Sequence, residues 1–164
     1  MKLKQHLHLI DMLRGVFKDK LCPNTETPSL SLCWRHGYQV ILSYDDDMSL
    51  AYAELWPGIE YWWADTPDPK DLLTYLERQK RNGRPTDAFF VAGMNLTEDL
   101  RYVLQHPLQS MRSMTLRACG YLLDWIRKQQ PGPASTALNI IAADFVGDTE
   151  FIHIVIALNQ SCIK

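Results

Sequence analysis

Cysteine is scarce and scattered in this chain of 164 residues: Cys22, Cys33, Cys119 and Cys162 stand far apart, with no Cys-x-x-Cys pair. That spacing argues against a zinc site and a disulfide framework, and favours a reducing compartment. Long apolar runs are missing too, so nothing here spans a bilayer as a helix. The opening MKLKQHLHLIDML is amphipathic rather than a secretory signal. In that context the glycosylation-type triplets at Asn95 and Asn159 read as coincidental, and a cytoplasmic protein is expected. There is no basic excess: 17 Lys and Arg face 19 Asp and Glu, a formal net charge of -2. A nucleic-acid partner or a polybasic membrane surface is therefore not expected. The one dense cationic stretch, ERQKRNGR from Glu77, fits a helix C-terminus, where the helix dipole favours cations. Neither a GxGxxG nor a GxxxxGK[ST] loop follows any apolar run, which weakens dinucleotide and P-loop readings.

What is present is alternation. Leu3, Leu7, Ile10, Leu13, Val16 and Phe17 recur at helical spacing up to Cys22-Pro23. PNTETPSLSL then reads as a loop, GYQVILSY (37–44) as a strand, PG as a turn, and Ile59 to Ala64 as a short strand. DPKDLLTYLERQKRNG has the marks of a helix, with Asp68 as N-cap, Pro69 in the first turn and Gly83 just past the end. DAFFVAGMN (87–95) reads as a strand, LTEDLRYVLQHP as a helix starting from Thr97, and 108–129 as a long amphipathic helix ended by QQPGP. LNIIAADFVG (138–147) is the last strand and DTEFIHIVIALNQ the last helix. Buried strands alternating with helices predict an α/β fold with a parallel sheet. The strands end on polar or aromatic residues: Ser43, Tyr44 and Asp45; Trp62, Trp63 and Asp65; Asn95; Asp144. In parallel barrels the C-terminal strand ends form the active-site face, and a whole barrel takes about 250 residues. Four strands make half of one.

Four stretches then carry a resemblance to a family: LCPNTETPSLSLCWRHGYQVILSYDDD, ELWPGIEYWWAD, FFVAGMNLTEDLRYVLQHP and NIIAADFVGDTEFIHIVIALNQ. Together they resemble the C-terminal half of the X-type domain of the phosphatidylinositol-specific phospholipase C family, over almost the whole chain. The resemblance implies a TIM-type barrel, with residues 1–164 as one partial domain. It implies a phosphoric diester hydrolase that cleaves a phosphoinositide-type lipid with two histidines, one as general base on the inositol 2-hydroxyl and one as general acid on the leaving diacylglycerol oxygen. In the family both histidines, and a GSHDT-type motif, lie in the N-terminal half. The five histidines here (His6, His8, His36, His106 and His153) do not sit at strand ends and read as helix-surface or interhelical polar residues. The chain alone is therefore expected to be inactive.

Asp144 matches a family aspartate that hydrogen-bonds the general-base histidine and fixes its tautomer; a structural carboxylate near Gly147 is the competing reading. Tyr44 and Asp45 stand at an edge the family uses for inositol and phosphate, although no arginine accompanies them here. Trp62 and Trp63 are read either as stacking on an inositol ring or the membrane interface, or as core. Asn95 is read as a donor to an inositol hydroxyl or as a backbone cap. Asp45, Asp46 and Asp47 lack the Gly and distal Glu of a calcium loop, so no metal or other cofactor is expected. An alternative to the enzyme reading is a non-catalytic short form acting as an interaction or regulatory protein. A carboxylate-pair hydrolase using Asp45 and Asp144 is weaker. Open barrel edges would invite self-association, and peripheral membrane contact would follow from the lipid substrate.

Overall fold

The computed structural model describes residues 3–83, 88–132 and 134–161. The chain divides into two compact units, Met1–Ile59 and Glu60–Lys164.

In the first unit, helix α1 (Leu3–Phe17) buries His6 and Ile10, one helical turn apart on one face. A 3-10 turn at Lys18–Lys20 follows, and Leu21 bridges in parallel to Val40. A second helix, α2 (Leu30–His36), occupies much of what reads in the sequence as loop. Its ends explain the discrepancy. Ser29 is the N-cap, its Oγ accepting from the Leu32 N–H at 3.2 Å, and Gly37 closes the helix in the left-handed region at φ 73°. The same serine and glycine, taken singly, resemble loop and strand-start residues. With Gly37 spent on the cap, the expected strand 37–44 shrinks to the bridge at Val40 and to β1 (Leu42–Ser43). Strand β1 pairs in parallel with β2 (Leu55–Trp56), a strand the aromatic segment conceals. Asn24 Nδ2 donates to the Leu55 carbonyl at 2.7 Å, and Trp56 Nε1 donates to the Cys22 carbonyl at 2.9 Å. Ile10, Leu21, Cys22, Leu55 and Trp56 are buried.

The second unit is a parallel sheet of β3 (Glu60–Trp62), β4 (Phe90–Gly93) and β5 (Ile140–Ala142), in that order. Helix α3 (Pro69–Asn82) connects β3 to β4; α4 (Leu100–Gln105) and α5 (Met111–Arg127) connect β4 to β5; α6 (Phe151–Ser161) follows. These are the helical crossovers that parallel neighbours require. Helix α3 has the ends read from its sequence: Asp68 Oδ1 accepts from the Lys70 N–H at 2.7 Å, Pro69 opens the first turn, and Gly83 terminates it at φ 80°. Helix α4 starts from Asp99 rather than Thr97, because the Asp99 carboxylate takes the Tyr102 N–H at 2.6 Å while Thr97 is engaged elsewhere. The β4 strand is shorter than the expected 87–95, and Asp87 lies outside the described residues.

One face of this sheet packs on helices. Trp62, Phe90, Ala92 and Met94 meet Leu72 and Leu76 of α3 and Leu122 and Ile126 of α5. The Trp62 and Phe90 rings lie 4.2 Å apart, so Trp62 is core. Each such apolar side chain contributes about 1.5–3 kcal/mol by leaving water. Glu77 Oε1 accepts from Trp125 Nε1 at 2.7 Å and from Lys80 Nζ at 3.2 Å, and Lys80 also donates to Gln129 Oε1 at 2.5 Å. That network ties α3 to α5. The findings thus give an α/β fold with parallel strands in two small sheets. No described helix is long and apolar enough to cross a membrane.

Candidate active site

Strand parity places the site. Because Trp62 and Phe90 turn toward the helices, the alternate positions face the other way. These are Tyr61 on β3 and Trp63 just past its end, which are 47% and 51% exposed. On β4 the Tyr61 ring lies over Gly93: a Cβ there would come within 2.5 Å of Tyr61 Cε1 and 3.0 Å of the Trp62 carbonyl oxygen. Gly93 is therefore the seat of the tyrosine ring. Two residues on, half-buried Asn95 accepts through Oδ1 from the Tyr61 hydroxyl at 2.5 Å, leaving its Nδ2 protons for another acceptor. Trp63 Nε1 donates to Thr97 Oγ1 at 2.8 Å, so the indole is fixed while its face stays in water.

Asp144 follows β5 by two residues, at the same C-terminal end of the sheet. Its side chain is half-buried, and Oδ2 is fully buried with no hydrogen-bond partner among the described residues. Burial and then the Asp144 charge push the Tyr61 phenol above its usual range, so Tyr61 stays a neutral donor. The backbone is unusual at both rims: Phe145 at φ 55° and Asp65 at φ 51° are non-glycine residues in the left-handed region. Such conformations persist where the surroundings enforce them, often at functional sites. Asn95, Trp63 and Asp144, singled out in the sequence, thus belong to one strand-end constellation with Tyr61. Tyr61 itself was missed, although period-2 alternation in EYWW already pairs it with Trp63.

Tyr44 and Asp45 belong to the first unit. The Tyr44 hydroxyl lies 2.8 Å from His6 Nδ1, and His6 Nε2 is 3.6 Å from Asp46 Oδ2. His6 is thus a buried polar residue rather than a helix-surface one. Asp45 is exposed and its carboxylate packs directly on Gly58, where a side chain would require it to move. Asp46 caps the 3-10 turn Asp47–Ala51, its Oδ1 accepting from the Met48 N–H at 3.0 Å. His36 stacks on Tyr38 and His106 on Tyr102. Among the described residues no three His, Cys, Asp or Glu side chains gather as a metal site.

Known proteins give the family. The chain is 54% identical over 162 residues to PI-PLC X domain-containing protein 1 of Danio rerio, covering 98% of this chain and 52% of that protein. It is 48% identical over 159 residues to the Homo sapiens protein of that name, covering 96% of this chain and 49% of the relative. It also matches PI-PLC X domain-containing protein 3 of Danio rerio, at 39% over 163 residues, 94% of this chain and 50% of that relative. The chain belongs to the PI-PLC X domain-containing protein family. Identity is higher to these type 1 members than to this type 3 member. The chain spans about half the length of the PI-PLC X domain-containing relatives it matches. No family model matches it, and no solved structure does. The PI-PLC X match covers the strand-end residues Tyr61, Trp63, Asn95 and Asp144 within its near-complete extent.

Proposed function

We propose that this chain supplies one half of a phosphoric diester hydrolase acting on a phosphoinositide-type lipid, with the catalytic histidines furnished by a half of the barrel outside these 164 residues. The observation that carries the reading is Asp144: a carboxylate at the C-terminal end of a parallel strand, beside a neutral tyrosine donor, in a chain of this family. In this role Asp144 accepts from the ring N–H of the general-base histidine, holds its tautomer, and stabilises the imidazolium formed as the attacking hydroxyl loses its proton. Asn95, whose Oδ1 is occupied by Tyr61, offers amide protons to a headgroup hydroxyl. Trp63 offers an exposed aromatic face for the ring of the headgroup or for the lipid surface. In the first unit, Tyr44 and Asp45 are the expected inositol contacts; Asp45, seated on Gly58, is the more available, since the Tyr44 hydroxyl is engaged by His6.

The half-barrel reading is supported by parallel neighbours joined through helices and by the ladder of β5, which pairs with β4 alone in its sheet among the described residues. An unpaired edge of that kind is where further strands, or another copy, would add. A cytoplasmic protein that meets the membrane from one side accords with this chemistry.

The test is hydrolysis of phosphatidylinositol vesicles by the chain alone and after addition of the complementary half-domain as a second polypeptide. No inositol phosphate from the chain alone and measurable release from the pair is the expected result. Release by the chain alone would overturn the division of labour. An assembled but silent pair would favour the non-catalytic reading, an interaction protein.

A further inference from the structure

Two side-chain polar atoms among the described residues are buried without a hydrogen-bond partner, Thr115 Oγ1 and Asp144 Oδ2. They come from different elements, yet both residues line one small cavity. Thr115 lies in the second turn of α5 and is 6% exposed. Leu122 and Ile126 of the same helix form an apolar wall, while Cys119 and Thr149 add polar atoms. Thr149 Oγ1 accepts from the Phe151 N–H at 3.2 Å, which leaves its hydroxyl proton for another acceptor.

The chemistry of the lining is directional. Threonine brings a proton to give, and the carboxylate oxygen can only accept. The two are not bonded to each other, so a group seated between them would accept from one and donate to the other. The cavity measures about 20 Å³, and about 10–15 Å³ on this measure is the room one water needs, together with two to four polar partners. A hydrated cation would need more oxygen ligands than this wall of leucine, isoleucine and phenylalanine provides.

We propose that a single ordered water bridges Thr115 Oγ1 and Asp144 Oδ2, making Thr115 a positioning residue for Asp144. The Thr115 hydroxyl donates to the water, and the water donates to Oδ2. This holds one carboxylate oxygen toward the helices and leaves the other for the base histidine. The role rests on the reading of Asp144 given above; the water itself does not.

The test pairs Thr115→Val, close in shape but without the hydroxyl, with Thr115→Ser, which keeps it. High-resolution crystallography of the 164-residue chain, or water-to-protein NOEs, should show the water in the wild type and Thr115→Ser and lose it in Thr115→Val. The Asp144 carboxylate should hold one orientation in the first two and rotate or split in the third. In the hydrolytic pair, Thr115→Val should lower kcat about tenfold, in line with the effect of an outer-shell partner, with KM unchanged. It should add nothing in an Asp144→Asn background. A dry cavity in the wild type, or an Asp144 orientation indifferent to Thr115→Val, overturns the proposal. If the water and the orientation behave as stated but the pair never hydrolyses lipid, the bridge stands and the hydrolase reading fails.

Discussion

Gly93 gives the sharpest test of how the strand-end face is built. A Cβ at that position would sit 2.5 Å from Tyr61 Cε1, 3.0 Å from Tyr61 Cζ and 3.0 Å from the Trp62 carbonyl oxygen. The ring is 47% exposed and can swing outward, but the carbonyl is held in the β3 ladder. Overpacking of this kind costs about 1–3 kcal/mol. Losing the Tyr61 to Asn95 hydrogen bond adds about 0.5–1 kcal/mol at a partly wet site. Against this, alanine loses less chain entropy than glycine on folding, which returns about 0.4–1 kcal/mol. The net expectation for Gly93→Ala is a loss of about 1–3 kcal/mol, or a fall in Tm of roughly 2–10 °C for a chain of this size. Urea unfolding of the wild type, Gly93→Ala, Tyr61→Ala and the double variant separates the causes. With the ring already removed, Gly93→Ala should cost about 1 kcal/mol less than in the wild type, because only the carbonyl contact remains. Additivity within about 0.5 kcal/mol would refute the seating of Tyr61 on Gly93.

Cys22, buried in the first unit, has its thiol pushed from the usual 9.0 to about 11, by burial first and then by Cys33 and Glu26. The folded state holds this proton more tightly than the unfolded chain, so its contribution is complete below pH 9 and is lost as pH climbs toward about 11. Unfolding free energies from urea titrations at pH 8 to 11 should fall more in the wild type than in Cys22→Ala, by at most about 3 kcal/mol; parallel profiles would contradict this. Asp68→Ala removes the N-cap of α3 and should cost about 1 kcal/mol in the same unfolding assay, with Asp68→Ser restoring most of it.

The second unit was more legible in the sequence than the first, for a physical reason. Helix α3 carries its own cap, first-turn proline and terminal glycine, and buries Leu72, Leu73 and Leu76 in one stripe, so local signals and tertiary packing agree. In the first unit local signals compete. Ser29 and Gly37 define a helix only as a pair, and the strands there are two residues long, too short for alternation to register. Asn95 and Asp144 stand out in the sequence because each is a polar residue ending an apolar run. Trp62 and Trp63 were indistinguishable by type, and only the position of the helices decides that Trp62 is core and Trp63 exposed. Thr97 resembled a helix cap, yet Trp63 claims its hydroxyl and Asp99 caps α4 instead. Thr115 is set apart by burial and Gly93 by the space its Cβ would need, and nothing in their local sequence marks either.

In its proposed role, Asp144 serves the chemistry of a phosphodiesterase without performing it alone. Turnover of phosphatidylinositol by the assembled pair, wild type against Asp144→Asn, tests this most directly. A fall in kcat of up to about 10⁴-fold is expected, the scale seen when the orienting acid of a histidine base becomes an amide, with the unfolding midpoint nearly unchanged. Turnover in Asp144→Asn equal to the wild type would contradict it.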